Sequence, residues 1–261
     1  MAEAVLAPPV DPETSDWAPP RPDVSHIITE DDEPVDNLPS EKQQRLLVEP
    51  LYVSTVVPRP FLAAANVGIF YALTQTPIVP DMFLSLGVEV AGDWWAQEHR
   101  SYFMWEFGKP PDAVVEIVSN RRGGETGRKF ERYAQLGVLY YVIFDPQQLL
   151  QSEPLRVYEL HVGEYQLRPD NALPRVGLAL RLWEGAYEDK PDRWLRWCDA
   201  SGNLLPTGAE LAKQERQRAE RERQRAEQER LRAEHEYQRA ERLALRLREL
   251  GIDPDEDRAG A

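Results

Sequence analysis

The chain has 261 residues, of which 42% are hydrophobic, and a formal net charge of -14. That length suits one well-packed domain with appendages and leaves little room for two full domains. A negative overall field excludes nucleic-acid binding through general charge, so any such contact needs a local basic patch. The single cysteine, Cys198, excludes an internal disulfide framework and points to a reducing compartment. The first residues, Met1 to Leu6, lack the basic and apolar regions of a signal peptide. No apolar run reaches the roughly 18 residues of a membrane span. A soluble, cytoplasmic protein is expected.

In chain order, residues 1–37 combine Pro8-Pro9, Pro19-Pro20 and Pro22 with the acidic run Glu30-Asp31-Asp32-Glu33, and read as a disordered tail. The expected α/β domain spans 38–207. Ser40 followed by Glu41 to Leu47 predicts a helix with Ser40 as its N-cap, limited by Pro50 and Pro58. Strands are expected at Phe61 to Ala65, Val67 to Tyr71, Ile78 to Leu86 and Ser101 to Phe107. Ala113 to Val118 is apolar, β-branched and nearly continuous, which predicts a strand buried on both faces. A helix from Glu125 to Leu136 should stop at Gly137, and Val138 to Phe144 should be a second buried strand. Strand, helix and strand at this spacing make a crossover unit in a central sheet. Short antiparallel strands are expected at Leu155 to Leu160, Tyr165 to Leu167, Leu178 to Trp183 and Trp194 to Cys198, with Trp183, Trp194 and Trp197 as packing residues.

From about Gly208 the composition changes. Gln217-Arg218-Ala219-Glu220 recurs with period seven at Gln224, Leu231 and Gln238, without proline or glycine, and predicts a long helix over 208–251. Its seam is weak. Ala219, Ala226, Ala233 and Ala240 give one small residue per heptad, and only Tyr237, Leu243, Leu247 and Leu250 add bulk. A solvated single helix and a coiled coil that makes a homo-oligomer both fit. Residues 252–261 read as a second disordered tail.

The chemistry concentrates in Pro111 to Glu116 and Lys129. Metal-dependent phosphodiester cleavage needs carboxylates to hold a divalent ion and a nearby lysine to position water or steady charge. Asp112 and Glu116 share a strand face but lie roughly 13 Å apart at about 3.3 Å per residue, too far to share one ion. Asp81, which follows Pro80 at a strand start, is the better partner for Glu116. Position 118 holds Val118, so the lysine must come from elsewhere. Lys129 lies on the next helix, in line with Glu125 and Tyr133 at four-residue spacing. Oxygen ligands of this kind suit Mg²⁺ or Mn²⁺. Glu49 and Glu41, on the first helix, are further candidates to approach the metal. Arg121, Arg122 and Arg128 form the local basic patch for phosphate. A buried Glu116 must in any case have a partner, and an ion pair with Lys129 or an arginine is the alternative to a metal.

The ordered set Pro80-Asp81, Ser101 to Pro110, Pro111-Asp112-Ala113-Val114-Val115-Glu116-Ile117-Val118-Ser119, Lys129, Tyr133, Gly137, Tyr140 to Pro146 and Trp194 to Trp197 resembles the Uma-two family of endonucleases in the PD-(D/E)XK superfamily, over residues 38 to 210. The resemblance implies a restriction-endonuclease-like mixed sheet flanked by helices. It also implies Asp81 and Glu116 as metal ligands, and Lys129 as a catalytic lysine moved onto a helix. Two functions are therefore expected: a Mg²⁺-dependent DNA endonuclease, or an inactive nuclease fold that binds a partner or itself through the C-terminal helix.

Overall fold

The computed structural model describes residues 37–119 and 127–250. The two expected tails, apart from Asn37, and Arg121, Arg122 and Glu125 lie outside the described residues. The chain divides into two compact units, one ending at Leu205 and one beginning at Pro206.

The first unit opens with α1 (Leu38–Val53). Its N-cap is Asn37, whose side chain accepts the Ser40 N–H at 3.0 Å, so Ser40 sits inside the first turn rather than capping it. Pro39 accounts for this earlier start, because its fixed φ suits the first helical turn. Pro50 does not end the helix, which continues to Val53.

Next come β1 (Phe61–Ala64), β2 (Ile69–Phe70), β3 (Met82–Leu86) and β4 (Tyr102–Phe103). The strand expected over Ser101 to Phe107 is only two residues long. Met104–Phe107 turns into the short helix α2, closed by Gly108 in the left-handed region at φ 70°. The periodic aromatics there serve packing instead, with Phe107 stacked on Tyr102 at 4.5 Å.

The crossover unit is β5 (Ala113–Ile117), α3 (Arg128–Leu136) and β6 (Tyr140–Phe144). Every residue of β5 and β6 is buried, as continuous apolar runs require when both faces are covered. Gly137 stops α3 at φ 84°. The strands β7 (Leu155–His161) and β8 (Glu164–Leu167) complete a six-stranded mixed sheet in the order β1-β3-β5-β6-β7-β8. Only β5 and β6 are parallel in it.

One face of this sheet packs α1 and a second sheet made of β9 (Ala172–Leu173), β10 (Leu178–Tyr187) and β11 (Lys190–Asp199). Leu47, Leu51, Met82, Val115 and Val142 meet Leu180, Leu195 and Trp197 there. The other face carries Phe83, Val114, Val118 and Ile143 beneath Tyr133 of α3. All three tryptophans pack. The Trp197 indole donates to the Leu47 carbonyl at 2.8 Å, Trp194 to that of Gly185 at 3.2 Å, and Trp183 lies under the Arg196 guanidinium.

The second unit contains α4 (Gly208–Glu249). It opens with a capping box in which Thr207 and Glu210 satisfy each other's backbone N–H. At 42 residues its length is roughly 63 Å, and none of its side chains is buried. Among the described residues no helix is long and apolar enough to cross a membrane.

Candidate active site

Strand alternation decides which way Glu116 points. Val114, Glu116 and Val118 share the face of β5 beneath α3. The carboxylate is 1% exposed. Such a group must be matched by donors, and α3 supplies two of them one turn apart. Lys129 Nζ lies 2.7 Å from Oε2, and the Tyr133 hydroxyl donates to Oε1 at 2.9 Å. Lys129 also donates to the Val79 carbonyl at 3.1 Å, tying α3 to the segment that leads into Asp81.

Asp81 arrives from the neighbouring strand. Pairing of β3 with β5 sets Met82 opposite Val115. Extending that antiparallel register by one residue sets Asp81 opposite Glu116, where directly opposed residues share a face at about 5 Å between Cα atoms. Asp81 Oδ2 accepts the backbone N–H of Ile117 at 2.5 Å, which holds its carboxylate against the strand. Asp81, Glu116 and Lys129 are thus brought together from the residue before β3, from β5 and from α3.

The electrostatics follow from this crowding. Burial pushes the Glu116 carboxyl up to about 8, and the negative charge of Asp81 adds to the rise. Lys129 and the two hydrogen bonds pull the other way without overcoming burial. Burial first, then Glu116, drives the Tyr133 hydroxyl far above its ordinary range, so it stays a donor.

Two carboxylates suit Mg²⁺ or Mn²⁺. Mg²⁺ keeps several waters and is commonly held by one or two protein carboxylates together with substrate phosphates. The hydrogen bonds to Glu116 and Asp81 leave lone pairs on their oxygens for a metal. Among the described residues no group of three or more His, Cys, Asp or Glu side chains is placed to hold a metal ion.

Other expected residues lie elsewhere. Asp112 accepts the Leu86 N–H at 2.7 Å and pairs with Lys109, at the opposite end of β5 from Glu116. Lys109 makes a second bond there, to the Leu86 carbonyl at 3.0 Å. Glu41 pairs with Arg45 on the exposed side of α1, and both Glu41 and Glu49 act on Tyr187 at the tip of the β10–β11 hairpin. Tyr133 both packs against the sheet and contacts Glu116.

The first helix contributes a residue that sequence reasoning missed. Gln44, buried, donates to Asp81 Oδ1 at 3.4 Å and exchanges hydrogen bonds with Asn66. Its signal was available. Gln44, Leu47 and Leu51 fall at i, i+3 and i+7, so a polar amide stands on the buried stripe of α1.

Beside Lys129 opens a cleft of about 860 Å³, lined by the segment from Gln75 to Val79, by Tyr71, and by Arg128, Lys129 and Arg132. Among the described residues its lining holds three cations and no acid, within a chain of net charge -14. Arg132 sits over the Tyr71 ring at 5.2 Å.

Comparison with known proteins adds the decisive observation: residues 28–184 match the model of the Uma2 family, described as "Putative restriction endonuclease". The chain belongs to the Uma2 family. Membership makes it a chain of a nuclease family, with the restriction-endonuclease-like fold. The Uma2 chain is also similar to a solved structure described as a "putative nuclease belonging to DUF820 from Anabaena variabilis ATCC 29413", at 15% identity and a TM-score of 0.38, over 54% of this chain and 74% of that one. No curated protein gives a significant match.

Proposed function

We propose that the protein is a Mg²⁺-dependent DNA endonuclease that hydrolyses phosphodiester bonds, with Mn²⁺ as a substitute. The reading is carried by one juxtaposition: Asp81, just before β3, falls opposite Glu116 when the β3–β5 register is extended by one residue, its charge acts on the Glu116 carboxyl, and the Lys129 amine is 2.7 Å from Glu116. Asp81 and Glu116 would hold the ion. When bound, it supplies charge neutralisation at the phosphate and a more acidic water.

The chain's own groups do the rest. Lys129 carries the positive charge nearest the reacting centre, where it can orient the attacking water or donate to a phosphate oxygen. Tyr133, locked as a donor, keeps Glu116 in one rotamer. Arg128 and Arg132 line the adjacent cleft and offer guanidinium forks for flanking phosphates. Such a patch gives an acidic protein the local field that DNA binding needs.

The test is cleavage of plasmid DNA with Mg²⁺ or Mn²⁺ by the wild-type chain, Glu116→Ala and Lys129→Ala. Cutting by the wild type alone is expected. Equal cutting by all three would remove these residues from the mechanism. A wild type inert on plasmid, linear duplex and single strands would favour a second reading. In that reading the nuclease fold is an inactive scaffold and α4 binds a partner or another copy, consistent with the exposed Leu231, Tyr237, Leu243 and Leu250.

A further inference from the structure

We infer that Gln44 and Asn66 are positioning residues that aim the Asp81 carboxylate into the metal site. The inference rests on the reading of Asp81 as a metal ligand.

The groups form a closed ring. The Asn66 backbone N–H donates to the Asp81 carbonyl at 3.3 Å. The Asn66 side-chain amide donates to Gln44 Oε1 at 3.0 Å, and Gln44 Nε2 donates back to Asn66 Oδ1 at 3.3 Å. Gln44 Nε2 then reaches Asp81 Oδ1 at 3.4 Å. Asn66 is held at φ 54°, in the left-handed region that asparagine tolerates better than most residues.

The ring constrains Asp81 twice, at its main chain and at its side chain. Oδ2 is tied to β5 by the Ile117 N–H, and Oδ1 is tied to α1 by Gln44. With both oxygens directed, rotation about χ2 is restrained before any ion arrives. An amide suits this task. It donates to the carboxylate without adding charge, whereas a lysine here would compete with the ion and an acid would repel Asp81. Partners of this kind orient ligands and tune their affinity.

The adjacent Gln43 supplies a matched control. It is equally buried on α1, but it points to the second sheet, where it accepts the Leu195 N–H at 2.9 Å and donates to the Leu195 carbonyl at 2.8 Å. Its loss disturbs stability and leaves the ring around Asp81 intact.

The experiment is titration of the full chain with Mn²⁺ alone, followed by the paramagnetic resonance signal of the free ion, with urea unfolding as a parallel measure. Variants are Asp81→Asn, Gln44→Leu, Asn66→Gly and Gln43→Leu. Glycine at 66 adopts the left-handed backbone freely and deletes only the amide, so it serves if Gln44→Leu fails to fold. Binding should be lost in Asp81→Asn and weakened roughly tenfold in Gln44→Leu and Asn66→Gly. Gln43→Leu should lose stability and keep wild-type affinity. If Gln44→Leu and Asn66→Gly both stay within about twofold of wild type while Asp81→Asn loses binding, the positioning role is wrong and the ligand stands. If Gln43→Leu weakens binding as much as Gln44→Leu, the effect is general loosening and the proposal also fails. If wild type and Asp81→Asn behave alike, Asp81 is no ligand and the proposal falls with that reading.

Discussion

Glu116 gives the sharpest physical test, because its burial predicts an unusual dependence of stability on pH. Its carboxyl titrates near 4.5 in an unfolded chain and is pushed up to about 8 in the folded one, first by burial and then by Asp81. Between these values the folded protein holds a proton that the unfolded chain has released. Raising the pH through that window therefore favours unfolding. The stability this group contributes is complete below about pH 4.5 and gone above about pH 8. A shift of this size, at about 1.4 kcal/mol per unit, amounts to about 5 kcal/mol as an order of magnitude. The side chain is 1% exposed, so solvent screening removes little of it.

Glu116→Gln replaces the carboxyl with a neutral group of the same shape. Its unfolding free energy should lack this descent. Urea unfolding of both proteins at pH 5, 7 and 9, with chelator present, reads the difference. Wild type should lose about 4 kcal/mol more than the glutamine variant from pH 5 to pH 9, since part of the full span already lies below pH 5. Parallel curves, separated by a constant offset across the range, would refute the reasoning. They would mean that Lys129 and Tyr133 outweigh burial and that Glu116 is ionised throughout.

Three further outcomes are expected. A divalent ion at Asp81 and Glu116 must displace the Glu116 proton, so Mg²⁺ affinity should rise up to about tenfold per pH unit below about pH 8 and then level off; calorimetry in buffers of different ionisation heat counts the proton, and a pH-independent affinity would contradict the site. Gly185→Ala would place a Cβ 2.1 Å from the Trp183 ring, which is pinned by Arg196 at 4.8 Å; thermal unfolding should show a loss of about 1–3 kcal/mol, and an unchanged melting point would mean that Trp183 moves freely. Removal of α4 by truncation after Leu205 should lower the mass per particle seen by light scattering beyond the deleted residues if α4 oligomerises the protein, whereas a monomer before and after would assign it to solvent.

Much of the candidate site's geometry was legible in the sequence because its residues sit on or beside regular elements. Strand geometry alone separated Asp112 from Glu116, and the structure puts Asp112 in its own ion pair with Lys109. Helical spacing placed Lys129 and Tyr133 on one face, and that face meets Glu116. Local chemistry was less readable at the helix start, where Pro39 moved the cap from Ser40 to Asn37. At Ser101 to Phe107 an aromatic alternation suited a strand, yet packing of Phe107 on Tyr102 selected a helical turn.

What the sequence by itself determined is the set of candidate groups: two acids and a lysine on a buried strand, its neighbour and the following helix. Those assignments depend on residue type and on the periods of strand and helix, both of which are local. Only the tertiary structure decided which partners each acid has. The register of β3 against β5, extended by one residue, sets Asp81 opposite Glu116, and the docking of α1 brings Gln44 to Asp81 from 37 residues away. Contacts at that separation arise from packing of whole elements and leave no periodic trace between the residues concerned.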